Sequence, residues 1–212
     1  MINFIPIFPL NIVVYPGEQL NLHIFEPQYK QLINEVYPEK FFGIPAVIED
    51  KLQDYGTVVR VKEITTVHEN GELDIKTEGQ QVFRILEVVK EIPEKMYSGA
   101  IVNYPQNHYT GSAEVMRAVV NSIRELFKLL QVEKKFTKED AQLNSYDVAH
   151  HVGMSLQEEY ELLNLMHERQ RQEYLKLHLT KVLPMVAEME HLKEKVKLNG
   201  HFKNLTSFNL DL

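Results

Sequence analysis

The chain has 212 residues, 44% hydrophobic and 25% charged, enough for one large domain or two small ones with real cores. It holds no cysteine, which excludes a disulfide framework, thiol catalysis and cysteine-ligated metal centres and points to a reducing compartment, the cytosol. The net charge of −7 divides into −6 over residues 1–106 and −1 over residues 107–212, so neither half has the basic excess that nucleic acid demands as a partner.

The N-terminus, MINFIPIFPL, is apolar but carries no Lys or Arg and is broken by Pro6 and Pro9, a poor signal peptide. No window approaches the roughly 18 apolar residues of a membrane span. From residue 2 to about 106 the apolar period is two. EQLNLHIF puts Leu20, Leu22 and Ile24 on one face and His23 on the other, the pattern of a strand with one face in a core. Pro27 suits a first helical position, and PQYKQLINEVY then aligns Tyr29, Leu32, Ile33 and Val36 until Pro38 stops the helix. Further strands rich in Val, Ile and Thr follow, with Asn70-Gly71 between two of them predicting a type I′ hairpin.

After NYPQNHYTGS the period becomes helical. Ser112 is expected to cap a helix to about Leu130, with Val115, Val119, Ser122, Ile123, Leu126 and Leu130 buried. A short helix is expected near Ser145, and Ser155-Leu156-Gln157-Glu158 reads as a capping box. A last helix from about Met166 to Asn199 contains Pro184, which predicts a kink or break, and Asn199-Gly200 reads as its terminator. The pattern predicts an α+β fold: a β-rich, barrel-like part with one inserted helix over 1–106, an all-α part over 107–200 and a tail over 201–212.

Linear motifs for chemistry are absent. No glycine spacing cradles phosphate, and no GxSxG elbow or SxxK occurs. His167-Glu168-Arg169 starts like HExxH, but position 171 is Arg. His150 and His151 are adjacent and would point apart on a helix, and His23 with Glu26 is at most half a site, so no metal or cofactor is expected. SYDVAHHVGMSLQEEYELLNL imitates a helix-turn-helix, but with four acidic residues and no Lys or Arg between Ala141 and Met166 it would repel a phosphate backbone. Met185, Met189, Leu192 and Val196 recur at spacings of four, three and four, a stripe for packing on the chain's own helices or for a partner helix in a homo-oligomer.

FPLNIVVYPGEQLNLHIFEPQYKQLI resembles the start of the Lon N-terminal domain, the substrate-binding module of ATP-dependent proteases, and stand-alone proteins made of that domain. The matching positions are Pro9 and Leu10, the Tyr15-Pro16-Gly17 turn, the Leu20, Leu22, Ile24 alternation, then Phe25-Glu26-Pro27 and Tyr29. Phe42-Gly43, Gly56-Thr57 and Gly79 with Gln81-Val82-Phe83-Arg84 fit its later strands. The resemblance covers roughly residues 5–200 and is most specific in the first thirty residues. It implies a pseudo-barrel followed by a helical subdomain, and a non-catalytic module that binds a polypeptide client in concert with a separate ATPase or protease. The Walker-type ATPase and Ser-Lys protease of Lon are not found in these residues. Phe25, Tyr29, Phe41 and Phe42 are the candidate peptide-binding surface. A hydrolase site without a linear signature and a homo-oligomeric scaffold stand as alternatives.

Overall fold

Among the described residues six strands form: β1 (Asn3–Pro6), β2 (Gln19–Ile24), β3 (Phe41–Ile48), β4 (Lys51–Val67), β5 (Leu73–Val89) and β6 (Gly99–Asn103). The computed structural model describes residues 3–38 and 41–205, with side chains to residue 197. The strands pair antiparallel in the order β1-β6-β5-β4-β3, with β2 against the first part of β5. Register shifts at Val58/Val59, Val61/Glu63 and Ile64/Thr66 bend the long β4–β5 pair, as bulges do. The sheet then meets itself. Ile7 and Leu10, just after β1, bridge in parallel to Gly43 and Ala46 of β3, and the Phe8 N–H donates to the Gly43 carbonyl at 2.8 Å. This segment closes a barrel filled by Ile5, Ile7, Val58, Phe83, Ala100 and Val102.

Helix α1 (Pro27–Val36) starts at the expected proline. Leu32, Ile33 and Val36 share a core with Phe8, Phe42 and Ile44. At about 1.5–3 kcal/mol per fully buried apolar side chain, that stripe is what fastens the helix to the barrel. The hairpin between β4 and β5 forms around Asn70-Gly71, but with a three-residue loop in place of the expected type I′ turn. Of the loop residues only Gly71 has a positive φ, +75°. The Gly71 N–H donates to the His68 carbonyl and the His68 N–H to the Glu72 carbonyl, both at 2.9 Å. Asn70 accepts the Glu72 N–H through its side chain at 3.1 Å, so it stabilises the turn without adopting a left-handed backbone.

Helices α2 (Ala113–Leu129), α3 (Ser145–Val148), α4 (Leu156–Leu163) and α5 (Glu168–Leu205) follow. Ser112 caps α2, and Ser155 with Glu158 forms the expected capping box on α4. The buried stripe of α2 is Met116, Val119, Val120, Ile123 and Leu126. Relative to expectation the face is rotated: Val115 and Ser122 are half-buried and Leu130 is exposed, because α5 covers α2 from one side. Helix α5 runs through Pro184 without a break, and it corrects one further expectation, since it does not stop at Asn199-Gly200. Pro184 lies on an exposed face with Thr180, whose carbonyl loses its helical partner on the side of the helix that faces solvent, and glycine permits a helix end without imposing one. The segment proposed as a tail, 201–212, begins inside α5, and from residue 206 it lies outside the described residues. Barrel residues Val13, Tyr15, Ala46 and Val82 share one core with Met116, Tyr146 and Leu163 of the helices.

Candidate functional site

β1 and β3 are the two ends of the sheet order, and among the described residues no pairing joins β1 itself to β3. They splay around an open groove of about 590 Å³, lined by Phe4, Ile5 and Pro6 of β1, Phe41 of β3, and Val58, Gln80, Gln81 and Tyr104. Strand alternation sets the walls: Ile5 and Phe42 point into cores, so Phe4 and Phe41 point out, 52% and 43% exposed. Gly99 makes room for the Phe4 ring, since a Cβ there would lie 2.3 Å from Phe4 Cζ. The described lining has no Asp, Glu, Lys, Arg or His, and its two glutamine amides are the directional groups. Burial raises the Tyr104 phenol above its ordinary value, so it too is neutral at physiological pH. Apolar walls with a few hydrogen-bonding groups, between two strand edges, suit an extended chain with apolar side chains.

The four residues expected to form one surface are dispersed. Phe41 lines the groove. Phe42 is fully buried and belongs to the core, as its place one step along the strand requires. Tyr29 is half-buried and stacks on Phe8 with ring centroids 3.6 Å apart. Phe25 is 57% exposed and stands beside the His23 ring after the end of β2. Phe4 and Tyr104 were missed. The NFIP alternation carries the signal for Phe4, but only strand pairing shows which face is core.

The signature residues of the opening stretch shape the backbone. Pro16 and Gly17, the latter at φ +85°, turn the chain so that the Glu18 N–H donates to the Tyr15 carbonyl at 3.1 Å. Glu26 is the N-cap residue of α1 ahead of Pro27, and Gln28 donates to its carboxylate at 2.6 Å. Pro9 sits in the segment that closes the barrel against β3. Tyr15 joins the two parts of the molecule: it is fully buried, donates through its hydroxyl to the Glu159 carbonyl at 3.0 Å and stacks on Tyr146 at 5.2 Å. Beside it, His150 bridges Glu159 at 2.7 Å and Glu18 at 3.2 Å. Burial alone would lower the His150 pKa, but the two carboxylates outweigh it and raise it to about 9.

Arg171, the residue that spoils HExxH, is fully buried. It donates to Glu168 at 2.9 Å, Asn107 at 2.8 Å and the Leu165 carbonyl at 2.6 Å, and its guanidinium lies 4.3 Å over the Tyr146 ring. Two close imidazole pairs also arise that spacing along the chain conceals. His108 stacks on His167 at 4.5 Å, and His23 meets His68 at 5.6 Å beside Asp74. The stripe Met185, Met189, Leu192 and Val196 is 69%, 43%, 54% and 69% exposed, so it is not buried by packing among the described residues.

The architecture is a small bent barrel joined through one core to a helical unit, with an open apolar groove between the ends of its sheet. The chain belongs to the family of ATP-dependent protease La (LON) substrate-binding domains, whose model matches residues 5–181. Its fold is similar to a Lon N-terminal domain protein from Xanthomonas campestris, at 21% identity and a TM-score of 0.63 over 82% of this chain and 98% of that one. It is also similar to the N-terminal domain of Mycobacterium avium complex Lon protease, at 12% identity and a TM-score of 0.60 over 84% and 98%. No protein of curated function matches it. Among the described residues no helix is long and apolar enough to cross a membrane.

Proposed function

We propose that the protein is a non-catalytic module that binds extended, apolar segments of polypeptide clients in the groove between β1 and β3. The observation that carries this reading is the pair of outward phenylalanines, Phe4 and Phe41, facing a groove whose described lining is uncharged, between strands that do not pair with each other among the described residues. A client would bury its apolar side chains against the rings and align its backbone with a strand edge. The barrel, residues 1–106, would recognise and the helices, residues 107–200, would brace it. A separate ATPase or protease would act on the bound client, in the cytosol that the absence of cysteine favours.

The protein has no tryptophan, so a tryptophan-bearing apolar peptide reports binding by its own fluorescence. Such a peptide should bind the wild type, and the exposed double substitution Phe4→Ser/Phe41→Ser should weaken it at least about tenfold, or ~1.4 kcal/mol. Phe25→Ser should leave binding unchanged. No binding across varied apolar peptides, or loss with Phe25→Ser alone, would overturn the groove assignment.

A second reading rests on α5. The family match ends at residue 181, yet α5 continues to Leu205 with Met185, Met189, Leu192 and Val196 exposed. An isolated helical segment gains little stability without a packed apolar face. Glu190 pairs with Lys193 on its own helix at 2.6 Å and Glu194 lies beside Lys195, so in a second copy running antiparallel the complementary charges would be Glu188 at one end and Lys195 and Lys197 at the other.

A further inference from the structure

The tip of the β4–β5 hairpin and the end of β2 gather side chains of metal-binding type. His23 and Asp74 are direct partners in the β2–β5 ladder, so they share a face, and His68 follows β4 across the hairpin. The Asp74 carboxylate lies between the two imidazoles, one oxygen 2.7 Å from His23 Nδ1 and the other 2.7 Å from His68 Nε2. The rings are 77° apart in plane, so they approach the carboxylate from different directions. One ligand atom from each of the three residues lies within 4.8 Å of the others, and Glu72 Oε2 is 3.1 Å from the second nitrogen of His23.

We propose that His23, His68 and Asp74 form a binding site for a divalent transition-metal ion of the zinc class. Two imidazoles and one carboxylate are the donor set such ions select, whereas magnesium and calcium require oxygen ligands throughout. Metal bonds of about 2.0–2.2 Å hold tetrahedral ligand atoms roughly 3.4 Å apart. The present spread closes to that by rotation of side chains that are 49%, 40% and 37% exposed, while the backbone frame stays fixed by two strand ladders. That exposure also leaves room for water, and Glu72 is placed to complete the shell. Without metal the same contacts are hydrogen bonds. The one to Asp74 raises the His23 pKa, and Asp74 is held low by His23 and then His68. A metal ion would replace these shared protons, so binding should release them and weaken in acid. It would also staple the hairpin tip to β2.

Zinc titration of the full chain by isothermal calorimetry, in a buffer that does not chelate, tests the site. The expected result is one ion per chain with micromolar affinity, weakened at least about tenfold by His68→Asn or by Asp74→Asn and unaffected by His167→Asn. The last variant disrupts the His108–His167 stack, the other close imidazole pair. Cobalt(II) should develop visible absorption in the wild type that both site variants lose. Circular dichroism should show that the variants fold, as the exposure of the His68 and Asp74 side chains leads one to expect. No binding at submillimolar zinc, binding retained in both site variants, or loss with His167→Asn in their place would overturn the proposal.

Discussion

Arg171 shows how much one residue depends on others distant in the chain. Its charge is removed from water, and the cost is offset only by the full set of acceptors: Glu168, Asn107, the Tyr146 hydroxyl, the Leu165 carbonyl and the His108 carbonyl. Glu168 in turn accepts from the Ser145 N–H and hydroxyl at 2.8 and 2.9 Å, tying α5 to α3. Arg171→Met should leave the Glu168 carboxylate buried without its counter-charge and destabilise the fold by about 3–5 kcal/mol in urea denaturation. Arg171→Met/Glu168→Gln should cost less than the sum of the two single changes, and strict additivity would show that they do not act as a pair. None of this was legible at position 171, because Asn107 and His108 arrive from more than sixty residues away. The local sequence displayed only a motif that fails.

At the scale of elements, the strands, α1 and the capped helices were readable because their signals are local: alternation at Leu20, Leu22 and Ile24, Pro27 at a first turn, Ser155 with Glu158. The hairpin was placed correctly, but its loop depended on where the Asn70 side chain could bond. The end of α5 was misjudged for the converse reason, since Gly200 permits a helix end without imposing one when nothing competes for the chain. From Ala187 to Lys197 every side chain is exposed except the half-buried Glu190. If this segment pairs with a second copy, sedimentation equilibrium should find dimers at high micromolar concentration. Met189→Glu/Leu192→Glu should shift the dimer constant at least tenfold towards monomer by placing charge in the apolar seam. A wild type that stays monomeric at the highest soluble concentration would remove this reading.

Across the whole molecule, the barrel and the helices are held together where Tyr15, His150, Glu18 and Glu159 meet. The folded His150 pKa, about 9, exceeds its ordinary value of 6.5, so the charged imidazole favours the folded state. Its contribution is complete below about pH 6.5 and disappears as pH rises through about 9. With the side chain 33% exposed, solvent screening reduces that contribution to roughly 1–2 kcal/mol. His150→Gln should therefore lower the melting temperature relative to wild type at pH 6 by a few degrees and converge with it near pH 10. A gap that is constant with pH would mean that His150 contributes by packing alone.

The sequence by itself determined the α+β organisation, the change of period near residue 106 and the family resemblance carried by its opening stretch. These are properties of neighbouring residues, and a two- or 3.6-residue period reveals which face is apolar. Only the tertiary structure decided what each exposed group does. It sent Phe42 to the core and Phe41 to the groove, made Tyr15 a junction, turned His23, His68 and Asp74 into a cluster and left the Met185–Val196 stripe uncovered. A local pattern shows that a face must be covered, but which element covers it is settled when the bent β4–β5 pair brings the ends of the sheet together.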